Sequence, residues 1–333
     1  MFCANRVFRC FRYLERLGDR LTGAAGPVFV FLAVVLLSMG TISFFDVIAP
    51  GLPVPLLSIP ICLLIAFNLF THYWYVCTVS PGFVTDSPHH ARSGLMWAKK
   101  RESARNRQLT GVRWSDDVTI TKAELTKCKR CGQFRPERAH HCRICNRCVL
   151  KYDHHCPVWI NQCVGLYNER HFVLFLIYLA ISSLCFSVSG WQHVLDALGW
   201  FDAPWEHYSP QLMFLLIYIL AAVICFAVTV MGAWHLWSIA CGETSVESQD
   251  HDHYRRIAKR RGEEFVNCYD LGKLKNLELF FNIGKDGYPL YTLLLPLRIE
   301  PYTDGRSWAR RKGFERHHGV RLGEELTDDD EED

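Results

Sequence analysis

Between Cys128 and Cys163 the chain carries seven cysteines and four histidines, in a spacing that repeats after fourteen residues. Cys128-x2-Cys131-x9-His141-x6-Cys148 is answered by an interleaved copy, Cys142-x2-Cys145-x9-His155-x7-Cys163. Each copy offers three thiolates and one imidazole, the donor set and spacing that tetrahedral structural zinc favours. Two closed zinc sites are expected. Eight ligands assigned in this way leave Cys156 and His154 over. Under the same shift they correspond to Cys142 and His140, but the second set has no place for them. A thiol spared between metal-pinned positions is a candidate nucleophile. The alternatives are that Cys156 replaces Cys163 on the metal, or that it is an idle buried thiol.

An extended backbone over Tyr152–Pro157 would place His154 and Cys156 on one face and turn His155 to the other, toward its metal. An imidazole beside a thiol lowers a cysteine pKa from about 8.5 into the range of roughly 3.5–7.5. His154 is therefore read as the base and Cys156 as the nucleophile. Asp153 is read as the acid that orients His154, the third role in a Cys-His-acid arrangement. Strict alternation would point Asp153 away from His154, so this role needs a bend. His140 is read as structural. Four protein ligands per zinc leave no position for an activated water, and the sequence holds no His-Glu-x-x-His of a zinc peptidase.

Long apolar segments must position these groups. Residues 26–48, 54–79, 172–194 and 211–240 each reach the ~20 residues that a helix needs to cross a bilayer. None contains Lys, Arg or Glu, and Asp46 is their one acidic residue. Lys and Arg number 5 before residue 26, 17 in 80–171 and 15 after 240, with none in 49–53 or 195–210. That bias puts both termini and the Cys-rich segment in the cytosol. The first apolar run, behind a basic leader, is read as a retained signal anchor. A cytosolic thiol cluster is kept reduced, so metal and thiol chemistry outrank disulfides. Cys62, Cys185 and Cys225 fall inside spans as small apolar residues; Cys3 and Cys10 are free thiols or juxtamembrane acylation sites.

The expected fold class is an all-α integral membrane protein, with four transmembrane helices and a cytosolic zinc-bound Cys-rich domain between helices 2 and 3. The expected divisions are a basic N-terminus (1–25), helices 1 and 2 (26–79), a linker (80–124), the Cys-rich domain (125–171), helices 3 and 4 (172–240), a C-terminal region (241–300) and a disordered acidic tail (301–333). The linker's basic stretch near 95–109 is read as solvated, with a lipid-headgroup contact as the alternative. The Leu290–Leu297 run is too short to span a bilayer and is expected against the membrane face or the cytosolic domain. A nucleophile fixed just above the cytosolic leaflet suits a substrate that is half in lipid and half in water: a long-chain acyl thioester whose phosphates meet basic residues.

Asp153-His154-His155-Cys156 in a Cys-rich segment, flanked by two spans on each side, resembles the DHHC protein S-acyltransferases (palmitoyltransferases). So do Arg135-Pro136, Arg138-Ala-His140-His141-Cys142, Asn146-Arg147-Cys148 and Cys163-Val164-Gly165-x-x-Asn168. Ser80-Pro81-Gly82 resembles the family's Asp-Pro-Gly element, Thr244-Ser245-Val-Glu247 its Thr-Thr-x-Glu element, and Asn267-Cys268-Tyr269-Asp270-Leu-Gly272 with Asn276 its Asn-Pro-Tyr motif. The resemblance covers about residues 26–285. It implies that Cys156 takes a fatty acyl group from acyl-CoA and passes it to a cysteine of a membrane-associated protein. Asp153 and His154 would assist, His155 would bind zinc, and a cavity among all four helices would hold the chain. Glu247 and Asn276 would be structural supports.

The implied partners are the lipid bilayer, acyl-CoA and cysteine-bearing membrane-proximal proteins; the implied location is the endoplasmic reticulum or Golgi. The chain departs from the family's Cys-Pro-Trp spacing at Cys156-Pro157-Val158-Trp159, one residue longer before Cys163. A β-bulge is expected to absorb the insertion. Two other classes compete: a catalytically silent zinc-containing membrane scaffold, and a nucleic-acid-binding zinc module. The second is disfavoured, since paired C2H2 spacing is lacking and the spans tether the module to a membrane.

Overall fold

The computed structural model describes residues 2–86, 96–98, 118–200, 204–284, 287–321 and 324, with side chains from residue 24 onward except at Val118. The side chains of Cys3 and Cys10, most of the basic stretch near 95–109 and the acidic residues 327–333 lie outside this description.

Among the described residues, four helices are long and apolar enough to cross a membrane. They are α1 (Phe2–Ser43, apolar from Ala24 and continued by a π-helical and a 3-10 turn to Gly51), α2 (Pro55–Thr78), α3 (Glu169–Ala197) and α4 (Gln211–Ala240). A helix satisfies its own backbone, so it is the form an apolar run of this length takes in lipid. Large side chains such as Phe31, Leu56, Trp74 and Phe226 point outward and stay exposed, while α3 packs between α2 and α4. Asp46 accepts hydrogen bonds from the Ser209 N–H (2.7 Å) and the Tyr208 N–H (3.4 Å), which ties the 195–210 loop to the end of the first span.

All-α describes the membrane part alone; among the described residues, eight short strands accompany the remaining helices outside it. Antiparallel pairs join β1 (Val118–Lys122) to β8 (Ser307–Arg311), β2 (Leu125–Lys127) to β3 (Phe134–Pro136), β4 (His140–Cys142) to β5 (Arg147–Val149), and β6 (His154–Cys156) to β7 (Gln162–Val164). Strands of three residues show no hydrophobic alternation, because donors and polar groups occupy the positions that would reveal a buried face. The tail also needs correcting: it is ordered from 301 to 321, and β8 carries Trp308, 1% exposed, into the core. Residue 118 onward of the presumed linker pairs with that strand, a register invisible to local pattern because almost two hundred residues separate the partners.

Beyond α4, Thr244 caps α5 (Ser245–Arg260). Its side chain accepts from the Glu247 N–H while the Glu247 carboxylate accepts from the Thr244 N–H, a reciprocal capping box. Glu247 also holds Arg138, with Nε to Oε1 at 2.5 Å and a second nitrogen to Oε2 at 2.6 Å. The guanidinium lies 4.2 Å from the Tyr269 ring centroid and 4.6 Å from that of Trp308. One arginine thus joins the Cys-rich segment, α5, the Asn267–Gly272 turn and β8. Burial alone would raise the Glu247 pKa, but Arg138 outweighs it and holds the carboxyl at about 2. Cutting a buried pair strands a charge. Arg138→Ala or Glu247→Ala is expected to cost about 3–5 kcal/mol, with the double variant losing clearly less than the sum. Thermal unfolding of the solubilised chain checks this; additive losses would refute the coupling.

The Asn276 side chain caps the end of α4, donating to the Ala240 carbonyl at 2.8 Å and to Asp270 Oδ1 at 2.8 Å from its own helix α6 (Lys273–Phe280). Cys268 replaces a proline of the family motif, and its N–H donates to His317 Nδ1 at 3.3 Å, a bond proline could not make. The Leu290–Leu297 run opens with a 3-10 turn that docks through its backbone. Thr292, Leu293 and Leu294 carbonyls accept from Arg170, Tyr178 and Asn68, so Leu290 and Leu294 remain exposed beside the helix ends.

Candidate active site and metal clusters

The fourteen-residue repeat is a repeat of hairpins. In β4–β5 His141 faces Cys148 across the ladder; in β6–β7 His155 faces Cys163 in the same register. Each pair meets two cysteines of a tight turn. Cys128, Cys131, His141 and Cys148 converge in one group and Cys142, Cys145, His155 and Cys163 in another. Within the groups, donor pairs are 3.4–3.8 Å apart, for example Cys131 Sγ to Cys148 Sγ at 3.5 Å and Cys142 Sγ to His155 Nδ1 at 3.6 Å. Tetrahedral zinc with bonds of about 2.0–2.3 Å would separate its donors by roughly 3.4–3.8 Å. Both clusters fit a structural zinc ion.

Strand alternation decides what happens to the leftover thiol. On β4, His141 points to the first cluster and its neighbour Cys142 to the second, because successive side chains leave opposite faces. On β6 the same geometry turns His155 to the second cluster and Cys156 away from it. No third turn of cysteines receives Cys156 among the described residues. Instead Cys156, partly buried, lines an apolar cavity of about 350 Å³ enclosed by all four membrane helices. His154 and Trp159 line the same end.

The insertion before Cys163 lies in the hairpin loop rather than in a bulge. Residues 157–161 join β6 to β7, where 143–146 join β4 to β5, and the His155–Cys163 pairing is unaffected. Asn161 and Asn146 hold matching left-handed conformations, φ 51° and 52°, at the ends of the two loops. The longer loop also reaches α2. Tyr73 donates to the Trp159 carbonyl at 2.8 Å, and the Gln162 amide donates to the Val76 and Val79 carbonyls. If the chain carries out the acyl transfer its resemblance implies, deleting Val158 should leave both Cys3His clusters loaded and cut acyl-adduct formation by about 10- to 100-fold, the scale of a misplacement of about 1 Å. Loss of one zinc on deletion would show that the ladder, not the loop, absorbs the extra residue.

Asp153 does meet His154. The histidine Nδ1–H donates to Asp153 Oδ2 at 2.7 Å, while the other carboxylate oxygen accepts from the Ser245 N–H and hydroxyl, each at 2.8 Å. Ser245, the first residue of α5, thereby fixes the carboxylate, and its N–H belongs to a helix N-terminus that favours negative charge. Burial pushes the Asp153 pKa upward, but the bonds to His154 and Ser245 prevail and hold it at about 2. Burial likewise works against a charged His154, yet Asp153 and the Cys156 sulfur outweigh it and lift its pKa to about 9. Such a histidine stabilises a neighbouring thiolate. Its ring rests edge-on against Phe172, centroids 5.1 Å apart. His140 lies elsewhere, tilted against the Tyr152 ring at 6.1 Å.

His235 on α4 escaped the sequence reading. Its Nδ1 is 3.8 Å from Asp153 Oδ2, and its ring packs on Phe172 and near His154. The signal was present: an ionisable group inside a span is a functional-site hypothesis by default. Ser80 explains another departure, since its hydroxyl accepts from the Gly82 N–H at 3.3 Å as an aspartate would. Gly82 (φ 94°) then presents its carbonyl to the Leu150 N–H, fastening the end of α2 to the Cys-rich segment.

A four-span membrane protein whose paired Cys3His clusters flank an Asp-His-Cys group beside an apolar cavity among the spans belongs to a narrow class. Residues 121–252 match the DHHC palmitoyltransferase family. "Probable protein S-acyltransferase 14" of Arabidopsis thaliana is 30% identical over 256 residues, which covers 76% of this chain and 77% of the relative. "Palmitoyltransferase ZDHHC16A" of Danio rerio is 29% identical over 228 residues, 55% of this chain and 59% of the relative. Human "Palmitoyltransferase ZDHHC3" is 38% identical over 140 residues, 40% and 45% of the two chains. The chain belongs to the DHHC palmitoyltransferase family. It spans about half the length of several of the curated relatives it matches.

Proposed function

We propose that this chain is a protein S-acyltransferase that moves a long-chain acyl group from acyl-CoA, palmitoyl-CoA above all, through a Cys156 thioester to cysteines of membrane-associated proteins. One observation carries the reading: Cys156 is turned off the metal by strand alternation and, with His154, opens into the apolar cavity among the helices. In the first step the Cys156 thiol gives its proton to His154, its sulfur attacks the thioester carbonyl, and CoA leaves as a thiolate that is then protonated. In the second step a substrate thiol loses its proton, attacks the acyl-enzyme and restores Cys156. Asp153 fixes the His154 ring throughout. The two Cys3His clusters would hold zinc, and the ions would supply the rigidity that keeps β6 in place.

The charge distribution supports a cytosolic active site and cytosolic termini, with residues 49–53 and 195–210 on the far side. The exposed Leu290 and Leu294 beside the helix ends support insertion of that turn among lipid headgroups. Residence in the endoplasmic reticulum or Golgi, and substrates whose cysteines lie at the membrane surface, accord with this placement. The scaffold alternative leaves the Asp153–His154 alignment without a purpose. The deciding experiment incubates the purified chain with labelled palmitoyl-CoA and maps the hydroxylamine-sensitive adduct by peptide mass spectrometry. The acyl group is expected on the Cys156 peptide; a stable adduct confined to other cysteines, or none, would overturn the assignment.

A further inference from the structure

Asp153 Oδ2 faces two imidazoles. His154 Nδ1 is 2.7 Å away and His235 Nδ1 is 3.8 Å away, and one donor atom from each of the three residues lies within 4.8 Å of the other two. Asp153 Oδ1 is occupied by Ser245, so Oδ2 is the oxygen left for a ligand shared by both rings. The three residues come from β6, its approach and α4, held by separate anchors. The Phe172 ring packs against both histidines, at 5.1 and 5.2 Å. Asp153 and His235 also line a small cavity of about 50 Å³, with Arg138, Lys151, Glu169 and Glu243 among its walls. Such a space accommodates about one or two waters, hence an entering ion with a water ligand.

Two imidazoles and one carboxylate that leave coordination positions open are a donor set for borderline divalent ions such as Zn²⁺. Bonds of about 2.0–2.1 Å would place donors roughly 3.3 Å apart, midway between the two separations observed. We propose that Asp153, His154 and His235 form a third, exchangeable divalent-cation site, distinct from both Cys3His clusters, whose occupation switches Cys156 off. The chemistry follows from the ring. With Nδ1–H bonded to Asp153, His154 has Nε2 free to take the thiol proton. A metal at Nδ1 takes the lone pair there, so the neutral ring's one proton moves from Nδ1 to Nε2 and the ring no longer accepts one from Cys156. The cation also draws the Asp153 carboxylate away from its orienting role.

The inhibitory half of this inference rests on the acyl-transfer reading; the metal site does not. Elemental analysis of the full-length Cys156→Ser variant, equilibrated with Zn²⁺ and then with a weak chelator, is expected to show three zinc ions falling to two. His235→Asn should hold two throughout, the retained pair reporting intact clusters. Co²⁺ added to the two-zinc protein should give d–d absorption bands without thiolate-to-cobalt charge transfer, and the bands should be absent in His235→Asn. In the wild-type protein Zn²⁺ should slow acyl-adduct formation, and His235→Asn should raise the half-inhibiting concentration by about 10- to 100-fold. Two zinc ions in Cys156→Ser, a thiolate charge-transfer band, or equal zinc sensitivity of wild type and His235→Asn would overturn the proposal. A wild-type protein that forms no adduct even without added Zn²⁺ would defeat the acyl-transfer reading instead, leaving the metal counts to decide the site.

Discussion

Cys156→Ser is expected to remove the hydroxylamine-sensitive acyl adduct altogether while both clusters keep their zinc. The sulfur belongs to neither metal group, lies partly buried in the cavity wall, and has His154 beside it. A serine hydroxyl there is a far weaker nucleophile at neutral pH, and His154 cannot make it an alkoxide to the extent that it makes a thiolate. His154→Ala tests the other half of the pair. It should retain the thiol yet slow acyl-enzyme formation by about 10²–10⁴-fold, the range for loss of a positioned base. Single-turnover labelling of the three proteins, with zinc content measured alongside, gives both numbers. Full labelling of Cys156→Ser would mean that another cysteine carries the acyl group. An unaltered rate in His154→Ala would mean that the thiolate forms without the histidine.

Stripping zinc should unfold the Cys-rich segment and leave the helices standing. Between Leu125 and Asn168 the hairpins have strands of three residues, too short to hold by themselves. Their buried apolar side chains, such as Val149, Ile160 and Val164, are few. Structural zinc contributes roughly 10–16 kcal/mol of apparent binding free energy to small domains, larger than any other single interaction in this region. Without it the cluster sulfurs take up protons, and nothing else ties the two turn cysteines of each group to its hairpin. The four spans satisfy their backbones internally and owe nothing to the metal. Hydrogen exchange after strong chelation should therefore show lost protection across 125–168 and unchanged protection in α2, α3 and α4. Cys145→Ser should abolish acylation as well, since the second cluster carries β6 and with it Cys156. Retained protection in the zinc-free protein would refute the metal-dependent fold.

The two predictions trace to different levels of information. The ligand sets, the spared thiol and the four spans were legible because each depends on residue type at short range: donors at fixed spacing, or apolar residues in a row. The same locality hid the rest. Asp153 looked misdirected by alternation until Ser245, ninety-two residues away, was seen to fix one carboxylate oxygen and aim the other at His154. His235 carried a weak local signal, since nothing nearby told it from a buried structural histidine. Arg138 read as one motif arginine among several, and its partners Glu247, Tyr269 and Trp308 all come from beyond the fourth span.

The acidic tail read as disordered because its composition dominates any local window, yet Trp308 is buried by a strand near residue 120. By itself the sequence determined which residues gather into the two Cys3His groups and which sulfur is left outside them, because donor spacing and hydrophobic length are properties of short segments. Only the tertiary structure decided how that sulfur is aimed and supported. His154, the Asp153 carboxylate behind it and His235 of α4 are held by chain segments whose approach is paid for by burial and by ion pairs, neither of which has a period in the sequence.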